Sequence, residues 1–279
     1  MVKSEKTKFS VVMSIYRNDK LEFIKRAIES ITVNQTVKPD EIVLVVDGPI
    51  PQKISNLIDS FDHSTEFIFN VIRLPENKGL GNALRIGMEK ASNDIVARMD
   101  SDDVSVPDRF EKQMSYLESH PDCDVVGGQI TEFISFEYNV VGKREVPFHS
   151  EDINFRMKQR CPFNHVSVML RRSRVISVGN YLDWHYNEDY YLWIRMAEAG
   201  YKFANLPDTL VNVRVGKDMY ARRGGWKYFL SEKGLQDYMY KKKMISLPQY
   251  LFNVTVRFGV QVAMPNKIRG FIFQKLFRK

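Results

Sequence analysis

Two rhythms of apolar residues alternate over the first 120 positions of the chain. Short runs rich in β-branched residues, Phe9 to Tyr16, Glu41 to Val46, Phe67 to Leu74 and Asp94 to Met99, predict buried strands. Between them apolar positions recur at helical spacing. They are Leu21, Ile24, Ile28 and Ile31, then Ile54, Leu57, Ile58 and Phe61, then Leu80, Ala83, Leu84, Gly87, Met88 and Ala91. Asn18-Asp19 suits the cap of the first helix, and Pro107-Asp108 opens a fourth with Phe110, Met114 and Leu117 on its inner face. Such alternation predicts a mostly parallel sheet covered by helices on both faces.

After Asp122 the alternation fades. Val125 to Phe133, Val166 to Leu170 and Thr209 to Val215 read as strands, and Glu151 to Arg160 as a short helix. Asn187 to Gly200 reads as a helix with Asn187 at its N-cap, Glu188 and Asp189 in its first turn, and Gly200 as its stop. Between Tyr250 and Met264, Asn253, Arg257 and Gln261 form a polar stripe on an otherwise apolar helix. Beyond Pro265, an apolar face of Ile268, Phe271, Ile272 and Leu276 is flanked by Lys267, Arg269, Lys275, Arg278 and Lys279. A basic amphipathic helix of this kind lies in an anionic membrane surface or packs on the body of the protein. Residues 241–279 do not read as a membrane span.

Charge is unevenly distributed. Of the net +7, residues 241–279 hold nine Lys/Arg and no Asp/Glu, which leaves the first 240 residues with 32 basic and 34 acidic groups, a net of −2. A body so balanced argues against a nucleic-acid-binding face. Cys123 and Cys161 make neither a metal spacing nor a disulfide framework, which fits a reducing compartment. The N-terminus, with Lys3, Glu5, Lys6 and Lys8, lacks the apolar run of a signal peptide.

The densest chemistry follows the strand Asp94 to Met99, which ends in Asp100, Ser101, Asp102 and Asp103. The C-terminal ends of strands are where open α/β sheets bind ligands. Crowded carboxylates repel one another unless a cation neutralises them, and oxygen donors suit Mg²⁺ or Mn²⁺, ions that clamp diphosphates. The alternative is a solvated acidic turn that caps the next helix. The predicted strand ends gather Tyr16, Asp47, Asn77 to Gly79 and Asp100 to Asp103 along one edge. No Gly-x-Gly-x-x-Gly follows the first strand, so a mononucleotide fits better than a dinucleotide.

These segments, in this order, resemble the family 2 inverting glycosyltransferases of GT-A fold, and most of all the bacterial exopolysaccharide and O-antigen enzymes. The resemblance covers roughly residues 8 to 225 and rests on Ser10 to Tyr16, Val43 to Gly48, Glu76 to Gly79, Asp100 to Asp103, Pro107 to Arg109, Asn164-His165, Gly179 to Tyr181 and Glu188 to Trp193. It implies an α/β fold in which a Rossmann-like nucleotide-binding half, about 8–105, is fused to an acceptor-binding half, 106–225, around one mixed sheet. Residues 226–279 would then be a basic amphipathic helical tail. It also implies a metal-dependent transfer of a hexose, galactose or glucose, from a UDP-sugar to a sugar on undecaprenyl diphosphate, in a β1,3 linkage. The location expected is the cytoplasm, peripheral on the inner face of the plasma membrane.

The resemblance assigns roles residue by residue. Tyr16, Asp47, Asn77, Gly79, Asp100, Ser101 and Asp102 would bind the nucleotide-sugar, with Asp47 at the uracil unless it is only a turn residue. Asp102, with Asp100, would hold Mn²⁺ or Mg²⁺, and Asp103 would cap the turn. Asp189, with Glu188 as the fallback, would be the general base, unless the pair only complements its helix dipole. Asn164, His165 and Trp184 would meet the acceptor, or be structural. Arg222 and Arg223 would grip a diphosphate, or form a basic surface loop. Four departures from the family pattern stand out: Ser14, Val46 before Asp47, Leu84 beside Arg85, and Gly216 where many relatives carry a metal-touching His. A catalytically inactive nucleotide-sugar-binding protein on the same fold is the alternative function.

Overall fold

The computed structural model describes residues 7–61, 67–216 and 224–264. Its first half is the predicted alternation of β1 (Phe9–Ile15), α1 (Leu21–Ile31), β2 (Glu41–Val46), α2 (Gln52–Phe61), β3 (Ile68–Arg73), α3 (Leu80–Lys90) and β4 (Ile95–Met99). The four strands pair in parallel in the order β3-β2-β1-β4. The period of two along β1 divides its side chains between two cores. Val11 and Met13 join Ile24 and Ile28 of α1 on one face, and Val12 joins Leu84 and Met88 of α3 on the other.

Beyond β4 the sheet becomes mixed. The remaining elements are β5 (Val104–Ser105), α4 (Arg109–Ser119), β6 (Val125–Phe133), β7 (Val140–Arg144), α5 (Ser150–Met157), β8 (Met169–Arg171), α6 (Arg172–Ser177), α7 (Glu188–Glu198), β9 (Phe203–Arg214), α8 (Trp226–Lys241) and α9 (Leu247–Phe258). β8 runs antiparallel between β4 and β6, β9 lies parallel to β6, and β5 and β7 complete one nine-stranded sheet. This is the α/β architecture expected, with both halves on a single sheet.

Three elements differ from their sequence expectation. The strand expected at Val166 to Leu170 begins only at Met169, because His165–Ser167 form a 3₁₀ turn closed by the Ser167 hydroxyl donating to the Asn164 carbonyl at 2.8 Å. β9 starts at Phe203 rather than Thr209, since shifts in register beside Gly128 and Gln129 absorb Pro207 inside the strand. Asp19 does not cap α1; Lys20 takes that position, and Asp19 accepts the Tyr16 backbone N–H at 3.0 Å instead.

Of the expected tail, residues 226–264 are helices packed on the body, and Leu235, Met239 and Ile245 are buried in the same core as α7. The basic segment after Pro265 lies outside the described residues. Among the described residues no helix is long and apolar enough to cross a membrane.

Candidate active site

The donor-side edge is built by backbone. β2 stops at Asp47, which is 4% exposed, and both its carboxylate oxygens accept N–H groups, from Lys78 at 2.7 Å and Gly79 at 2.9 Å. Asn77 Nδ2 donates back to the Asp47 carbonyl at 3.1 Å. A Cβ on Gly48 would stand 2.6 Å from the Asn77 nitrogen, and φ there is +86°, so glycine is what lets the two loops meet. The hydrogen bonds thus show Asp47 shaping the turn that carries Asn77 and Gly79. Tyr16 follows directly on β1 and is 37% exposed.

The acidic cluster is sorted by partner. Asp100 pairs with Arg98, a β4 side chain only 5% exposed. Ser101 is buried and hydrogen-bonds the Asp19 carboxylate. Asp103 is buried and accepts the Arg214 N–H at 2.8 Å, fastening β9; burial first, and then the charges of Asp100 and Asp102, push its carboxyl well up. Asp102 alone keeps its carboxylate open at the cleft edge. The cleft walls desolvate it, and Asp100 and Asp19 repel it, which raises its carboxyl to about 6.

That repulsion is the condition a divalent cation relieves, and Asp102 offers the hard oxygen such ions take. Asp100, expected as a second ligand, is already compensated by Arg98. Among the described residues no three His, Cys, Asp or Glu groups are arranged to hold an ion. Among the described residues, the fit is to a metal held by Asp102 together with oxygens of a bound diphosphate.

α7 brings the second acidic pair to the same cleft. Burial first, then the charge of Asp189, pushes Glu188 up to about 7; Asp189 is also raised, by burial above all. The Arg98 charge reaches both, as well as Asp100 and Tyr181, so one buried guanidinium links the two acidic groups. His165 lies beside Asp189. Its Nδ1 is 4.0 Å from Asp189 Oδ2 and its Nε2 is 2.8 Å from the Tyr181 hydroxyl, while burial and Arg98 hold its ring neutral. Cys161 Sγ donates to Asp189 Oδ2 at 3.7 Å.

Two residues expected at the acceptor make contacts within the protein. Asn164 is 1% exposed and its Nδ2 donates to the Gly128 carbonyl at 2.8 Å, so it secures β6 rather than facing a ligand. The Trp184 ring lies 4.2 Å from Tyr191 and against Gly234, with Nε1 donating to the Ser231 carbonyl at 3.1 Å; it pins α8 to α7. Arg222 and Arg223 fall outside the described residues. Asp19, Arg98, Arg144 and Tyr181 are not among the site residues expected from the sequence. An arginine inside an apolar strand, as in Ile95–Met99, was the legible signal for Arg98.

The fold and the cleft define the class first. The chain superposes on S. aureus TarS 1-349 in complex with UDP-GlcNAc, with a TM-score of 0.66 and 15% identity over 91% of this chain and 73% of that one. It superposes also on the mannosyltransferase PcManGT from Pyrobaculum calidifontis in complex with GDP-Man and Mn²⁺, with a TM-score of 0.62 and 14% identity over 93% and 71%. The fold is that of the GT-A glycosyltransferases. Residues 10–179 match the model of glycosyl transferase family 2, and the chain belongs to that family. Full-length relatives include an uncharacterized glycosyltransferase of Haemophilus influenzae, 40% identical over 98% of this chain and 100% of its own. The amylovoran biosynthesis glycosyltransferase AmsE of Erwinia amylovora is 37% identical over 96% and 98%. The UDP-Gal:alpha-D-GlcNAc-diphosphoundecaprenol beta-1,3-galactosyltransferase of Escherichia coli is 33% identical over 98% and 97%.

Proposed function

We propose that this chain is a metal-dependent inverting hexosyltransferase that moves galactose or glucose from a UDP-sugar to a lipid-diphosphate-linked sugar, in a β1,3 linkage, during surface-polysaccharide synthesis. One observation supports the reading: the acidic end of β4 and the acidic first turn of α7 lie close enough that Asp100 raises Glu188 and the buried Arg98 acts on both groups. The named activity of the E. coli relative supports the donor, acceptor and linkage.

The base and ribose of the donor lie along Tyr16 and the block of Asp47, Asn77 and Gly79, with Asp100 and Ser101 beneath. Asp102 would hold Mn²⁺ or Mg²⁺, and Arg222 and Arg223 would share in neutralising the diphosphate. The ion, when bound, stabilises the charge that grows on the leaving diphosphate. Inversion needs a single displacement, so one base suffices. The Asp189 carboxylate takes the proton of the acceptor hydroxyl as that oxygen attacks the anomeric carbon. Desolvation raises its basicity, and His165 beside it is held neutral and so does not cancel its charge. Membrane association through the C-terminal region would place the enzyme on the inner face of the plasma membrane, where its acceptor is anchored.

The test is UDP release across a panel of UDP-, GDP- and dTDP-sugars with a HexNAc-diphosphate-lipid acceptor and Mn²⁺. Acceptor-dependent turnover with a UDP-hexose, abolished by EDTA, is expected. Asp189→Asn should lower kcat by about a hundredfold or more and leave UDP affinity unchanged. UDP binding without turnover on any acceptor would instead favour the inactive binding protein.

A further inference from the structure

Asn164-His165, Gly179 to Tyr181 and Glu188 to Trp193 are separate in the chain and meet at one imidazole. His165 Nε2 is 2.8 Å from the Tyr181 hydroxyl and its Nδ1 is 4.0 Å from Asp189 Oδ2. Its ring lies edge-on to Trp193 of α7, with centroids 6.0 Å apart. The proposed reaction uses Asp189 and gives Tyr181 no task.

Tyr181 is held in place from two sides. Gly179 and Asn180 take left-handed φ values of +92° and +60°, which turns the chain sharply after α6. Asn180 Oδ1 then accepts the Tyr181 N–H at 2.7 Å, and Asn180 Nδ2 donates to the Arg85 carbonyl of α3 at 3.0 Å. Arg195 Nη2, further along α7 than Asp189, donates to the Asn180 carbonyl at 2.7 Å. The helix that carries the base thus also grips the loop that carries Tyr181.

The hydrogen bonds decide where the imidazole proton sits. Tyr181 is 1% exposed, and among the described residues the partner of its hydroxyl is His165 Nε2. A buried phenol that only accepted there would leave its own proton unsatisfied, so the hydroxyl donates and Nε2 accepts. Burial and the charge of Arg98 keep the ring neutral, with one proton, and that proton is then on Nδ1, the nitrogen nearer Asp189. An N–H there attracts the carboxylate, whereas a bare lone pair would repel it. The 4.0 Å separation exceeds a hydrogen bond by about 1 Å, a gap of the kind that tightens when a site is occupied. Cys161 Sγ donates to the same oxygen, so both side-chain contacts fall on Oδ2 and not on Oδ1.

We propose that Tyr181 and His165 are a positioning pair for the base. The Tyr181 hydroxyl fixes the His165 proton on Nδ1, and that N–H holds Asp189 by Oδ2, so that Oδ1 meets the acceptor hydroxyl. Neither residue of the pair gives or takes a proton in the transfer. The pair rests on the reading of Asp189 as the base.

The experiment reads tautomer and rate separately. In the full chain labelled with heavy nitrogen at histidine, the NMR signals of His165, identified by their loss in His165→Asn, should show a protonated Nδ1 and a bare Nε2. Tyr181→Phe should abolish that preference and lower kcat by about tenfold or more at unchanged donor KM. The amide nitrogen of asparagine replaces Nδ1 and that of glutamine replaces Nε2, so His165→Asn should turn over about tenfold faster than His165→Gln. A ring that only braced Tyr181 would give the opposite order. A proton on Nε2 in the native chain, that opposite order, or a Tyr181→Phe enzyme with native kcat would each overturn the pair. An Asp189→Asn enzyme with native activity would refute the base itself, a failure told apart from that of the pair because the tautomer is read without turnover.

Discussion

Asp189 and Glu188 are adjacent in sequence but differ in contacts: Asp189 meets Cys161 and His165, whereas Glu188 packs beside Gly81. Both carboxyls are raised, and the pair exchanges protons as a unit. If Asp189 is the base, Glu188→Gln should keep transfer and remove from the pH profile of kcat/KM the ionisation near 7. A dead Glu188→Gln enzyme with an active Asp189→Asn enzyme would exchange the two roles. The same shift has a sign for stability. Glu188 holds its proton in the fold up to about 7, whereas an unfolded glutamate loses it near 4.5, so the folded state binds more protons across that window. Stability should therefore fall as pH rises from 4.5 to about 7, and fall less in Glu188→Gln, as read by urea midpoints. Asp102 and Asp103, adjacent in sequence, differ more: one faces the cleft and the other holds β9.

α7, α8 and α9 show how an element acquires its role from its neighbours. Asn187 sits at the N-cap of α7 as its residue type suggests, but its Nδ2 reaches Ser231 Oγ of α8 at 3.0 Å and it makes no side-chain cap bond. α8 has no clean apolar stripe, because Trp184 inserts over Gly234, where an added Cβ would stand 2.8 Å from the ring. α9 is then fixed by polar contacts, chief among them the buried Arg257–Glu232 pair. Removing one partner leaves the other charge desolvated, so Arg257→Ala should cost about 3–5 kcal/mol in chemical denaturation. Arg257→Ala with Glu232→Gln should recover part of that loss. A loss well under 1 kcal/mol in the single variant would mean that α9 is held by its apolar contacts instead.

For the molecule as a whole, the question is how a protein without a described spanning helix would reach the membrane-anchored acceptor proposed for it. The exposed apolar side of α9, Leu247, Leu251, Phe252 and Val256, follows directly on Lys241, Lys242 and Lys243. The basic segment from Lys267 continues the same charge. Apolar side chains beside a cationic run suit an anionic bilayer surface. The full-length chain should sediment with anionic vesicles at low salt and be released as salt is raised. Failure to sediment at low salt would refute surface binding, and sedimentation indifferent to salt would leave the basic segment no part in it.

The sequence determined the first half of the fold, because strands with β-branched runs and helices with one apolar stripe are decided by local periodicity. It also determined where the carboxylates gather, since strand ends in such a sheet meet at one edge. Its reading of the second half was partial, because β9 runs through a proline that ends most strands and α8 carries no stripe of its own. What each polar residue does was left to tertiary structure. Asp47 and Asp102 both end strands, yet one has its oxygens filled by backbone N–H groups and the other faces open cleft. The stripe Asn253, Arg257 and Gln261 was plain in the sequence, but periodicity fixes only that a helix has two faces. Which of them turned inward was decided by Glu232, Gln236 and the carbonyls of Lys158 and Gln159, partners up to 98 residues away in the chain.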